Sequence, residues 1–250
     1  MKWLRSCAAA FRFLTIIPLP SSFGCKSDDL ANSTVFFPLV GVFLGCLASG
    51  GAWVLWEILP PSVAAVSLTL LLLSFSGALH LDGLADSADG FFSSRDREGV
   101  LEIMRDSRVG AMGAIALIMV LLFKFSCLSG LNQLQAVKIS FLMPVAGRCT
   151  LVIMMTLLPY IRLEGGLGTL FYSRRTGFAA MFAVVALFVL SFLVQGVHGL
   201  ALASLVVLVI LLFSLYSNRK IGGVTGDVLG AGCEISEVST VLFFVALQTV

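Results

Sequence analysis

Residues 80–90 read His-Leu-Asp-Gly-Leu-Ala-Asp-Ser-Ala-Asp-Gly and set three carboxylates, Asp82, Asp86 and Asp89, into a chain that otherwise avoids charge. Spaced i, i+4 and i+7, they fall within roughly 60° of one another on one helical face, at about 100° per residue. Like charges that close raise one another's pKa unless a cation lies among them. Carboxylate oxygens are hard ligands that suit Mg²⁺ or Mn²⁺, ions that keep several waters and take one or two carboxylates plus the phosphate oxygens of a substrate. Gly83 and Gly90 let a bulky ligand approach the backbone. The plain alternative is a solvated acidic turn. Against it stands the uncharged run of residues 63–79 directly before the motif, because ionisable groups at a membrane edge mark function. His80, the one histidine near the acids, is a candidate general base, although on a straight helix it points about 200° away from Asp82.

Other polar clusters could serve the same chemistry. Arg105 and Arg108 stand three residues apart just before an apolar stretch and read as donors to an anionic substrate. Arg148, about ten positions inside another stretch, must pair with an acid or face a polar cavity, since an arginine at that depth is expensive. Arg174 and Arg175 precede a further stretch, as topology signals or phosphate ligands. Five glycines lie between positions 222 and 232, Gly226 among them, and their amides could cradle phosphate, while Asp227 and Glu234 could add metal ligands. No P-loop, HExxH, GxSxG or dinucleotide fingerprint is present. A carboxylate-bound cation, arginines and glycine-rich backbone together suggest a diphosphate-bearing substrate, with the cation neutralising the diphosphate and the leaving phosphate.

The elements that must position these residues belong to a membrane. The chain has 250 residues, of which 58% are hydrophobic and 12% charged, and its mean hydropathy is +1.03, far beyond a soluble domain. The expected fold class is all-α: one polytopic integral membrane domain, residues 1–250, with about seven transmembrane helices. The spans are expected at about 35–58, 62–81, 109–128, 136–160, 177–194, 199–216 and 235–250, the fourth broken at Pro144. An N-terminal amphipathic helix over 3–17 would lie in the interface. A short interfacial helix would fall between 91 and 109, with Ser93 and Asp96 as its capping box. Gly41 and Gly45 form a small-xxx-small pair that admits a neighbouring helix. The six scattered cysteines read as free thiols. Near-balanced charge, net +2, gives no footprint for nucleic acid, and Arg12 with Pro18 and Pro20 argues against a cleaved signal peptide.

With seven spans and a cytoplasmic N-terminus, 13 of the 16 basic residues face one side, as the positive-inside rule requires. Lys124 and Lys138 lie toward the other side. The triple-Asp motif and the Gly-Asp motif then share the cytoplasmic face and can build one site.

Residues 80–90, 104–110 (Met-Arg-Asp-Ser-Arg-Val-Gly), Gly147-Arg148 and 221–227 (Ile-Gly-Gly-Val-Thr-Gly-Asp) together resemble the adenosylcobinamide-GDP ribazoletransferase family, the cobalamin 5′-phosphate synthases. Residues 12–20 and 37–41 resemble its N-terminal signatures. The resemblance implies a multi-pass enzyme of the bacterial or archaeal cytoplasmic (inner) membrane with its active site facing the cytoplasm. It would need Mg²⁺ and act in the last steps of cobalamin biosynthesis. The enzyme would transfer the adenosylcobinamide-phosphate group of adenosylcobinamide-GDP to α-ribazole or its 5′-phosphate and release GMP, with the ribazole 5′ oxygen attacking. Asp82, Asp86 and Asp89 would hold metal and diphosphate, Asp227 and Glu234 would complete the shell, and Arg105, Arg108 and Arg148 would bind phosphate. The bilayer is a further partner, and a second copy or other nucleotide-loop assembly enzymes could associate. Two alternatives stand: a CDP-alcohol phosphatidyltransferase, whose acidic pattern Asp89-Gly90-Phe91-Phe92 does not match, and a cation-coupled transporter, which places acids at mid-bilayer.

Overall fold

The computed structural model describes residues 2–20, 24–161, 167–172 and 176–248. The described residues form α-helices: α1 Lys2–Leu14, α2 Ser27–Ala31, α3 Phe37–Ile58, α4 Pro61–Ser76, α5 Leu79–Phe91, α6 Arg97–Ile103, α7 Ala111–Ser129, α8 Gln133–Leu157, α9 Thr176–Gln195, α10 Val197–Ile221 and α11 Gly226–Gln248. Short 3₁₀ turns cover Ser33–Phe36 and Leu167–Phe171. Six of these helical stretches are long and apolar enough to cross a bilayer, and α4 with α5 adds a seventh if that bent pair counts as one span. The chain is a multi-pass, all-α membrane protein. Helices satisfy their own backbone groups, which hydrocarbon demands.

Burial divides the bundle into an inside and a lipid coat. In α8, 89% of the most apolar window is buried, against 17% in α7 and 28% in α9, so α8 is the central post. Leucines, isoleucines and phenylalanines such as Ile115, Ile118, Leu122, Phe182 and Leu193 remain exposed and form the lipid-facing surface. The Gly41–Gly45 pair does bring a helix close. A Cβ on Gly41 would stand 2.9 Å from the Pro144 carbonyl oxygen, and one on Gly45 would stand 2.5 Å from that of Phe141.

Several expectations are corrected. Pro144 does not break α8, which runs unbroken from Gln133 to Leu157, with α3 packed closely along this stretch through Gly41 and Gly45. The start of α8 is fixed by a capping box of Asn132 and Gln135, one that the sequence reading missed. Ser93 does not cap the interfacial helix α6, since its hydroxyl donates to the Gly90 carbonyl. Asp96 is the N-cap and accepts from the Gly99 amide. The last span is longer than expected because the Gly-Asp motif is its first turn. Only residues 222–225 of the glycine-rich segment are loop.

Candidate functional site

The site begins at a break. Gly77 closes α4 in the left-handed conformation, φ 59°, and the Ala78 amide donates to the Leu73 carbonyl, the six-to-one bond of a Schellman ending. Ala78 is also left-handed, at φ 59°, which costs a residue with a Cβ about 1–2 kcal/mol. Its carbonyl accepts from the Leu81 and Asp82 amides and starts α5. The outcome is a bend of 91° between α4 and α5. The acidic motif therefore sits on its own helix and does not extend the preceding span. Asp82 is exposed and Asp86 and Asp89 are half-buried, while Leu81, Leu84, Ala85 and Ala88 are buried. One face of α5 carries all three acids, as their spacing requires.

The first turn of α5 crosses the first turn of α11 with almost nothing between them. A Cβ on Gly83 would stand 2.6 Å from the Asp227 carbonyl oxygen, and one on Gly230 would stand 3.3 Å from the His80 backbone. Gly226, the first residue of α11, has open space where a side chain would lie. The segment leading into α11 is pinned by backbone bonds between Val224 and Pro159 and between Ile161 and Val224, and by the Ser217 hydroxyl on the Gly223 carbonyl, 2.6 Å. This crossing sets His80, Asp82, Gly226 and Asp227 around one cavity of about 320 Å³. His80 is 3% exposed and lines that cavity, so the bend brings it to the same cavity as the exposed Asp82. Gly230 and Gly232 do not cradle phosphate: they lie inside α11 against His80 and Met154, where they let helices touch. Gly83→Ala must push Asp227 away from Asp82. The expected outcome is a fall in turnover of about 10²-fold, the usual effect of a displacement of about 1 Å, together with a loss of stability of about 1–3 kcal/mol because the added methyl meets backbone rather than a movable side chain, checked by parallel activity and unfolding measurements.

The acids run on from the cavity as a strip about 10 Å long at 1.5 Å per residue. At its far end Asp89 accepts the Gly110 amide at 2.7 Å and the Gly113 amide at 2.8 Å, so it caps the N-terminus of α7 and favours that terminus electrostatically. Asp89 also borders a depression shared with Asp106 and Arg108. Arg108 forks onto Asp106, with bonds of 3.0, 3.1 and 2.6 Å, and these hydrogen bonds hold the Asp106 carboxyl down to about 2. That pair is solvent-exposed and stays ionised at any working pH. Arg105 is exposed on the same connection, in a depression lined by α6 residues. Arg174 and Arg175 lie outside the described residues. Among the described residues, no three His, Cys, Asp or Glu side chains stand close enough to hold a metal ion by themselves.

Two expected ligands are withdrawn from the site by a buried ion network. Glu234 accepts Lys124 at 2.7 Å, and Glu237 accepts Lys124 at 2.8 Å and Arg148 through its other oxygen. All four side chains are at most 5% exposed. Glu234 therefore does not complete a metal shell, because its charge offsets Lys124. Arg148 does not bind phosphate, because it is sealed between α8 and α11 against Glu237. Lys124 is likewise no marker of the outer face, since it lies inside the bundle. Two cations against two acids leave the cluster neutral, and a neutral, ion-paired cluster is the form in which charge survives in low dielectric, although the Arg148 Nε finds no hydrogen-bond partner among the described residues. Gly147 makes room for it: a Cβ there would lie 3.0 Å from the Glu237 carboxylate. Glu237 went unremarked in the sequence, although Glu234 and Glu237, three apart in an apolar span, carried the signal.

Relatives bear on this arrangement. The model of the cobalamin-5-phosphate synthase family matches residues 6–245. The protein named adenosylcobinamide-GDP ribazoletransferase in Geotalea daltonii is 38% identical over 98% of both chains. Its namesake in Clostridium tetani is 36% identical over 99% of this chain and 98% of its own. That of Syntrophobacter fumaroxidans is 41% identical over 92% and 93%. No solved structure matches. A match that covers both crossing helices, the acidic strip and the buried network together leaves one conclusion: the chain belongs to the cobalamin-5-phosphate synthase family.

Proposed function

We propose that the protein transfers the adenosylcobinamide-phosphate group of adenosylcobinamide-GDP to α-ribazole or its 5′-phosphate, releasing GMP, and that a divalent cation, Mg²⁺, serves the transfer. The observation that carries this reading is the crossing of α5 and α11, which presents Asp82 and Asp227 to one cavity beside the first turn of α11. Two protein carboxylates, with waters and substrate oxygens filling the remaining positions, match the way Mg²⁺ is commonly held in phosphate-handling sites. The donor set therefore fits the ion without a third acid. When bound, the ion would neutralise the diphosphate and the charge that develops on the leaving GMP.

The chain's own groups account for the rest. The amides of the first turn of α11 favour an anion. His80, buried and lining the cavity, can take the proton of the attacking hydroxyl. A P–O bond forms between the acceptor oxygen and the phosphorus next to cobinamide, the bridging P–O bond breaks, and GMP leaves with the bridging oxygen. The expected 5′ attack is corrected by the chemistry of the family's name: a product that still carries its 5′-phosphate was joined through another hydroxyl of the ribose. The positive segments 1–34, 82–108, 161–176 and 217–234 support a cytoplasmic, inner-membrane placement of this site.

The test is GMP release from adenosylcobinamide-GDP by the purified protein in liposomes. Release is expected only with α-ribazole and Mg²⁺ both present, and chelation of the metal is expected to stop it reversibly. Release without an acceptor would mean hydrolysis and would overturn the reading. The transporter alternative gains the buried charges of α7, α8 and α11, but each of those charges is held in an ion pair in the bundle interior.

A further inference from the structure

The cavity that ends at His80, Asp82 and Asp227 has a second wall of different chemistry. Phe13 from α1, Phe171 from the 3₁₀ turn, Leu151 and Met155 from α8 and Tyr160 line it. The Phe13 and Phe171 rings pack at 4.5 Å between centroids, and Phe37 backs both, 5.8 Å from Phe171. Phe171 is 1% exposed and Leu151 and Met155 are 3% and 4% exposed, so this wall is formed before any ligand arrives. His80 is 3% exposed and lines the cavity beside Asp82 and Asp227, so the polar end of the pocket adjoins this wall.

Resting on the function proposed above, we infer that this cavity is the acceptor pocket and that its aromatic and apolar wall holds the flat benzimidazole of ribazole, with the ribose toward His80 and Asp82. Size excludes the corrinoid. At about 320 Å³, the cavity lies at the lower end of small-molecule pockets, about 300–1,000 Å³, and a corrin ring with its amide arms is far larger. The wall disfavours guanine. Guanine carries an amide N–H, an exocyclic amine, a carbonyl and a ring nitrogen on its edges, while Phe13, Leu151, Met155 and Phe171 present apolar surface, and the polar side chains of the same cavity, His80, Asp82 and Asp227, are those that the ribose and the cation occupy in this reading. Each group left unpaired on burial costs about 1–3 kcal/mol. Dimethylbenzimidazole has one free ring nitrogen and two methyl groups, which suit phenylalanine, leucine and methionine. The donor then lies along the open strip from Asp82 to Asp89, where nothing limits its bulk. The enzyme thus separates its substrates by enclosure: the small flat one inside, the large one outside.

The experiment measures equilibrium binding of α-ribazole, guanosine and adenosine to the full-length protein in nanodiscs, beside GMP release by the same preparation. The unaltered protein is expected to bind α-ribazole at least about 10-fold more tightly than either purine nucleoside. Phe13→Leu keeps an apolar side chain and removes one stacking face. It is expected to weaken α-ribazole about 10-fold, the scale of one base–aromatic contact, and to leave the KM for adenosylcobinamide-GDP unchanged. Met155→Gln adds an amide to the wall and is expected to narrow the preference over guanosine. If GMP release is normal while both variants bind α-ribazole as the unaltered protein does, the pocket assignment falls and the transferase reading stands. If neither α-ribazole binding nor GMP release is found, both fall together.

Discussion

Asp82→Asn is expected to cut acceptor-dependent GMP release by about 10²–10³-fold, the scale on which one electrostatic contact with developing charge matters, while the unfolding temperature stays where it was. The two halves of this result have separate causes. Asp82 is exposed on α5, and asparagine keeps its shape, so packing is undisturbed. The lost charge is one of two carboxylates at the cavity where α5 and α11 cross, so an ion held there loses half its protein ligands. Asp89 provides the contrast within the same motif: its carboxylate is committed to the Gly110 and Gly113 amides, so its replacement acts on the start of α7 as well as on the strip. Activity at saturating Mg²⁺ and a thermal melt in detergent, made on the same protein, separate the two effects.

Glu237→Gln has the largest expected effect on stability. Among the described residues Glu237 is the one acid that touches both Lys124 and Arg148, and without it these two buried cations face Glu234 alone. Breaking a buried pair by removing one partner costs about 3–5 kcal/mol, enough to unfold many proteins of marginal stability. Lys124→Met combined with Glu237→Met removes one charge of each sign and leaves Arg148 with Glu234. The double variant is therefore expected to melt well above Glu237→Gln alone, as a thermal unfolding series in detergent would read it. A double variant no more stable than the single one would deny the network its role.

The motif on α5 was legible because a three-acid spacing fixes its face whatever surrounds it, and composition announced the membrane. The bend at Gly77 and Ala78 was not. One glycine and an alanine in the left-handed region leave no mark in an apolar run, and the bend frees His80 from the geometry of a straight helix. Glu234 and Arg148 misled because a charged residue inside a span points to a polar partner without naming it. The partners, Lys124 and Glu237, come from α7 and from one turn further along α11, and only packing brings them together. The glycines of α11 misled for a similar reason: Gly230 and Gly232 could expose backbone to phosphate or to another helix, and sequence does not distinguish the two. Gly41 and Gly45 were read correctly because their spacing of four lies inside an unmistakable span.

The claim on which the rest depends is that Asp82 from α5 and Asp227 from α11 serve one cation site together with the diphosphate donor. Mn²⁺ can stand in for Mg²⁺ at such oxygen ligands, and its paramagnetic resonance signal counts bound ions directly. With adenosylcobinamide-GDP present, the unaltered protein is expected to bind Mn²⁺ tightly at a single site, and Asp82→Asn and Asp227→Asn are each expected to lose that site while remaining folded. Tight binding unchanged in both variants would contradict the account.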